Sequence, residues 1–176
     1  MCVPGRVSLM TFSRFLSYVT LAMVFALVGC GTRPPASSST GVPSGVFYHP
    51  LTDQQAEEMV VHAIGLIGTP YVGAGNTPER GFDCSGLISY VYSSVTGMAP
   101  PRRVRDLHQF GQSINAQKAR SGDLVLFGPK GGTPTHAGIY IGEGRFVHAP
   151  STGGRVRMEY VNGKYWSGQN PRFRRL

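Results

Sequence analysis

The 176-residue chain has few cysteines, few acidic side chains and no long apolar run. Its three cysteines, Cys2, Cys30 and Cys84, make no Cys-x-x-Cys pair, and no His-x-x-x-His spacing accompanies them. A disulfide framework or a zinc knuckle is therefore not what the spacing offers. Nine acidic against 17 basic side chains leave a net charge of +8. Such a balance suits an anionic polymer, a lipid surface or simply a solvated exterior. The longest apolar run, Val19 to Val28, is broken by Thr20 and is too short for a stop-transfer helix. There is no internal repeat.

What is present begins with a targeting signal. Arg6 and Arg14 precede the apolar run, and Met10 is an alternative start with Arg14 alone as the charged region. The run ends Leu27-Val28-Gly29-Cys30, which resembles the bacterial lipobox. That resemblance implies cleavage before Cys30 and acyl chains on Cys30, several of which anchor a protein stably. The alternative is an ordinary secretory peptide with a chance cysteine. Gly31, where Asp would favour retention, implies an outer membrane, with the domain facing the periplasm. Residues 1–29 are thus expected to be signal, and 30–50, rich in Pro, Ser and Gly, a flexible tether. Residues 51–176 have the length of one domain. Export makes nucleic acid an improbable partner. It also leaves Cys84 as the one unpaired thiol of the mature chain, a candidate reactive group.

Within the domain, Thr52 and Gln55 form a capping box before Ala56, Met59, Val60, Ala63, Ile64 and Ile67, one helical face. Gly68-Thr69-Pro70 ends that helix, and residues 71–82 read as a loop. A second helix is expected over Cys84–Thr96, with Leu87, Ile88, Val91, Tyr92 and Val95 on one side and Gly97 at its C-terminus. A short third helix is expected over Val104–Phe110. Strands are expected over Asp123–Phe127, His136–Ile141, Arg145–Ala149 and, at an edge, Val156–Tyr160. Helices first and antiparallel strands second indicate an α+β fold with segregated layers.

A cysteine at a helix start meets unpaired N–H groups and the positive end of the helix dipole, which favour a thiolate and can hold an oxyanion. Cys84 holds that position, although a cysteine there is often only a small buried side chain. His136 and His148 flank Gly142-Glu143-Gly144. With a three-residue loop, His148 faces Gly138 and shares a face with His136, near enough for the imidazoles to hydrogen-bond. A two-residue loop would instead put them on opposite faces, so the pairing depends on an odd-numbered loop.

Six blocks bring a family into view. They are Gly68-Thr69-Pro70-Tyr71, Gly81-Phe82-Asp83-Cys84-Ser85-Gly86, Pro101-Arg102, Gly122-Asp123-Leu124-Val125-Leu126-Phe127, His136 to Gly142, and Phe146-Val147-His148-Ala149. In this order they resemble the NlpC/P60 cell-wall cysteine peptidases, which have a papain-like fold. The resemblance implies Cys84 as nucleophile, His136 as general base and acid, and His148 as its orienter. It implies Tyr71 beside the oxyanion, and Asp83 and Ser85 as receivers of the substrate's free amine. Asp83 could instead be a helix cap, Tyr71 core packing, and Asp123 a turn residue; His49, His62 and His108 match no family position. The implied substrate is the peptidoglycan stem peptide, cut between D-glutamate and the diamino acid by a monomeric enzyme with no cofactor. The alternatives are a non-catalytic wall-binding lipoprotein, a zinc site on Cys84, His136 and His148, and acyl or amide transfer. Two features depart from the family pattern. Tyr71 is followed by Val72-Gly73-Ala74-Gly75, where many relatives carry an aromatic ring two places after the tyrosine and then two glycines, and residues 128–134 have the composition of a flap.

Overall fold

The computed structural model describes residues 50–176. The leader, Cys30 and nearly all of the tether lie outside the described residues. No helix among the described residues is long and apolar enough to cross a membrane.

Helix α1, Asp53–Gly65, starts at the capping box, with Thr52 accepting from the Gln55 N–H and the Gln55 side chain accepting from the Thr52 N–H. Each such cap satisfies a backbone donor that the helix itself cannot. After the two-residue strands β1 (Asn76–Thr77) and β2 (Gly81–Phe82) comes helix α2, Cys84–Thr96. Asp83 caps α2 by accepting the Gly86 N–H at 2.6 Å, and Gly97, at φ 70°, ends it. Helix α3 is one turn, Val104–Leu107, shorter than the sequence pattern suggests; hydrogen-bonded turns carry the chain on to Phe110.

Six strands form one antiparallel sheet: β3 (Gln112–Ile114), β4 (Leu124–Phe127), β5 (His136–Gly142), β6 (Arg145–His148), β7 (Arg157–Tyr160) and β8 (Arg172–Arg175). Their spatial order is β3-β8-β4-β5-β6-β7, so β7 is an edge strand as its pattern suggests. The last strand, β8, inserts between β3 and β4, which the sequence pattern does not predict. Arg172, Arg174 and Arg175 read as a basic surface cluster, yet they sit inside the sheet. Arg175 pairs with the buried Asp123 at 3.0 Å, while Arg174 and Arg172 donate to the carbonyls of Gly111 and Gly132. Asp123 also accepts the Arg120 N–H, so it is a turn residue with a second, structural partner. The same Arg172 bond, with Gly128 N–H to Gln169, ties down residues 128–134 at both ends.

The two faces of the sheet bury different sets. Leu124, Leu126, Ala137, Ile139 and Val147 pack with Met59, Leu87, Ile88 and Val91 of the helices. Val125, Phe127, Phe146 and Phe173 pack on the other face with Trp166, which opens a short 3-10 turn at Trp166–Gln169. β4 is consequently buried on both sides, which explains its unbroken apolar run. Each large side chain so buried contributes about 1.5–3 kcal/mol.

Candidate active site

Alternation along β5 decides where the histidines point. His136, Gly138 and Tyr140 share one face, and Ala137 and Ile139 join the helical core on the other. β5 pairs with β6 through Ile139↔Val147 and Tyr140↔Phe146, so Gly138 lies opposite His148, and a Cβ on Gly138 would meet the His148 Cβ. The connecting loop has two residues, not three. Glu143 and Gly144 both take positive φ, 53° and 71°, as a two-residue hairpin turn demands. A bulge restores the parity: between Tyr140 and Gly142, Ile141 is an extra residue against the step from Phe146 to Arg145. His136 and His148 therefore do share a face. Nε2 of His136 lies 2.8 Å from Nδ1 of His148, and the rings meet at 89°.

Cys84 is the free cysteine among the described residues and arrives from the helical layer. It meets the histidine side at the end of β5, where the Ala137 N–H points at the sulfur, alongside the N–H groups of Ser85 and Cys84 itself. These donors pull the thiol's pKa down, but burial and the Asp83 carboxylate outweigh them, so the thiol is held above its ordinary range. His136 is pushed down to about 4 by burial, with Glu159 opposing. His148, fully buried, is pushed down to about 3 by burial, then by His136 and Arg157. Burial thus favours the protonated thiol and the neutral imidazole, against the thiolate that a helix start alone would favour. Desolvation decides the difference.

Asp83 does more than cap α2. Arg102 grips both its oxygens at 2.9 Å and also donates to the Ser85 hydroxyl at 2.7 Å, while Ser85 donates to Asp83 at 3.1 Å. Burial would raise the Asp83 pKa, but Arg102, the Gly86 N–H and Ser85 together hold it below the usual carboxylate range. A substrate ammonium would meet a carboxylate already neutralised by Arg102. Tyr71 packs at the core edge, with its ring near enough to Cys84 and Asp83 for both to raise its pKa after burial does. His62 is exposed, His108 lies partly buried in the turn after α3, and His49 is outside the described residues.

Two hollows share Thr135, the neighbour of His136. One, of about 460 Å³, is walled by Phe127, Arg157, Glu159, Tyr165 and Trp166. The other, of about 600 Å³, is walled by Ala74, Asp83, Ser85, Arg102 and Pro134. Thr135 borders both, and His136 lines the first. Arg102, Glu159 and Trp166 had no role assigned from sequence. Only Arg102 carried a signal, in the block Pro101-Arg102.

The NlpC/P60 family profile matches residues 68–175. The chain belongs to the NlpC/P60 family. It is 38% identical over 119 residues to the gamma-DL-glutamyl hydrolase of Bacillus subtilis, covering 66% of this chain and 29% of that protein. It is 34% identical over 122 residues to the murein DD-endopeptidase MepH of Escherichia coli, covering 67% and 45%. The chain therefore spans less than half the length of these two curated relatives. The crystal structure of the NlpC/p60 domain of the peptidoglycan hydrolase SagA superposes with a TM-score of 0.60 at 36% identity, covering 69% of this chain and 97% of that one. The α+β, papain-like expectation is borne out by that likeness.

Proposed function

We propose that this NlpC/P60 chain is a cysteine peptidase that hydrolyses peptide bonds in peptidoglycan stem peptides. The observation that carries the reading is the free thiol of Cys84 beneath three backbone N–H groups, at the strand end bearing the His136–His148 pair. His136 spends Nε2 on His148, which leaves Nδ1 to take the Cys84 proton. The sulfur then attacks the peptide carbonyl, and the oxyanion is held by backbone N–H groups with Tyr71 beside them. His136 gives its proton to the leaving amine, and water releases the acyl group from sulfur. A neutral base suits this sequence, because an imidazolium could not accept the thiol proton.

Asp83, Ser85 and Arg102 form one wall of the second hollow, which Trp166 does not line. We assign that wall to the substrate's acyl side and the D-glutamyl bond to the diamino acid as the bond cut. The name of the Bacillus relative supports a glutamyl bond, and that of the Escherichia relative a different one. The lipobox-like Leu27–Cys30 segment supports anchoring through Cys30 at the outer membrane, within reach of the wall.

Incubation of the purified protein with defined muropeptides, followed by mass spectrometry of new termini, tests the reading. The D-glutamyl product is expected from the wild type and none from Cys84→Ala with an unchanged fold. Cleavage by Cys84→Ala would sink the mechanism. Binding without cleavage by the wild type would favour a non-catalytic wall-binding role.

A further inference from the structure

Behind His148 stands a carboxylate that the two-histidine scheme does not use. Glu159 lies on β7, and its Oε1 is 3.7 Å from Nε2 of His148. That nitrogen is buried and has no hydrogen-bond partner among the described residues. The other oxygen of Glu159 accepts the indole N–H of Trp166. The same indole stacks on His136, centroids 5.0 Å apart at 27°, and meets His148 edge-on at 5.0 Å. One carboxylate therefore faces His148 at 3.7 Å, longer than a hydrogen bond, and reaches His136 through Trp166.

Proton order makes this contact matter. If His148 kept its proton on Nδ1, it would donate to Nε2 of His136. His136 would then carry its own proton on Nδ1 and could not receive one from Cys84. If His148 carries the proton on Nε2, its Nδ1 is bare and accepts from His136, and His136 presents a bare Nδ1 to the thiol. Which tautomer holds is set by the partner of His148 Nε2.

We propose that Glu159 is a positioning residue that accepts the Nε2 proton of His148 and so fixes both histidines in the tautomer that lets His136 take the Cys84 proton. The inference rests on the Cys84–His136 reading above. Its charge has a second effect: once His136 is cationic, the chain His136–His148–Glu159 ends on an anion. The charged groups that act on this chain are Glu159 itself, on His136, and Arg157 on β7, on His148. Arg157 bonds Glu159 and opposes it by lowering the proton affinity of His148.

The test is the rate at which iodoacetamide alkylates Cys84 between pH 5 and 10, read by mass spectrometry on the peptide that carries it. Glu159→Gln retains an oxygen for the Trp166 N–H but loses the charge, so a merely structural role survives it. At neutral pH, alkylation is expected to slow about three- to tenfold, with the midpoint moving up by roughly half to one pH unit. Melting should stay near the wild-type temperature. Glu159→Asp, which withdraws the charge by one methylene, is expected to fall between the two. Profiles of both variants superimposed on the wild type, while His136→Ala shifts its own, would overturn the role of Glu159. A His136→Ala profile matching the wild type would instead remove the Cys84–His136 reading beneath it.

Discussion

Acid should loosen this domain before its carboxylates titrate, because two buried imidazoles must be kept neutral. In the folded protein His136 is pushed down to about 4 and His148 to about 3, chiefly by burial. In the unfolded chain both return to about 6.5. Above about pH 6.5 neither state holds the proton and stability is complete. As pH falls below that, the unfolded chain gains protons that the folded chain refuses, so stability declines. The His136 share of the loss is complete by about pH 4, and the His148 share by about pH 3. For His136 alone a depression of about 2.5 units corresponds to about 3 kcal/mol. That is a large part of the 5–15 kcal/mol typical of a whole domain. The assay is urea unfolding followed by circular dichroism at pH 7.0, 5.5 and 4.5, beside the double variant His136→Asn, His148→Gln. The wild-type midpoint should fall steeply across this window and the variant's should fall much less. Parallel decline in the two proteins would show that the histidines are not the source, and would refute the reasoning.

Two further outcomes follow from single contacts. Arg102→Met leaves Asp83 with only the Gly86 N–H and Ser85 as partners; with Arg102 39% exposed, the cost should be about 1–2 kcal/mol, read as a lower melting temperature, and the Asp83 titration followed by NMR should move upward. Deleting Ile141 leaves a regular two-residue hairpin with Gly142 opposite Arg145 and Tyr140 opposite Phe146, so Gly138 stays opposite His148 and the imidazoles keep one face; muropeptide cleavage should survive the deletion as it survives Ile141→Ala, and its loss would show that the bulge does more than set parity.

Local signals were read well from sequence where one residue type does one job. Thr52 and Gln55 marked the start of α1, Gly97 the end of α2, and the Asp123–Phe127 run a buried strand, now β4. What escaped was wherever a polar side chain serves the interior. β8 contributes only Phe173 to an apolar face, and its arginines are held by backbone carbonyls and by Asp123. Nothing in Arg172-Phe173-Arg174-Arg175 announces a strand in the middle of a sheet, because the partners that satisfy those guanidiniums come from 40 to 64 positions away. Glu159 and Trp166 escaped for the same reason. Their meaning lies in what they touch across the sheet, not in their spacing along the chain.

The histidine hairpin shows why a correct outcome does not certify the geometry behind it. Counting a three-residue loop places His148 opposite Gly138, and that pairing is present. The chain reaches it by another route: a two-residue turn, which alone would separate the imidazoles, and one bulged residue that cancels the error. Both solutions insert one residue of odd parity between the strands, and only parity matters to which face a side chain takes. They differ in where the extra residue sits. A wider loop would leave it at the exposed tip, whereas the bulge places it at Ile141, five residues from His136 and partly packed against the helical core. The tip at Glu143–Gly144 must therefore keep its two-residue length and its positive φ, while the bulge inside the strand sets which face His136 takes.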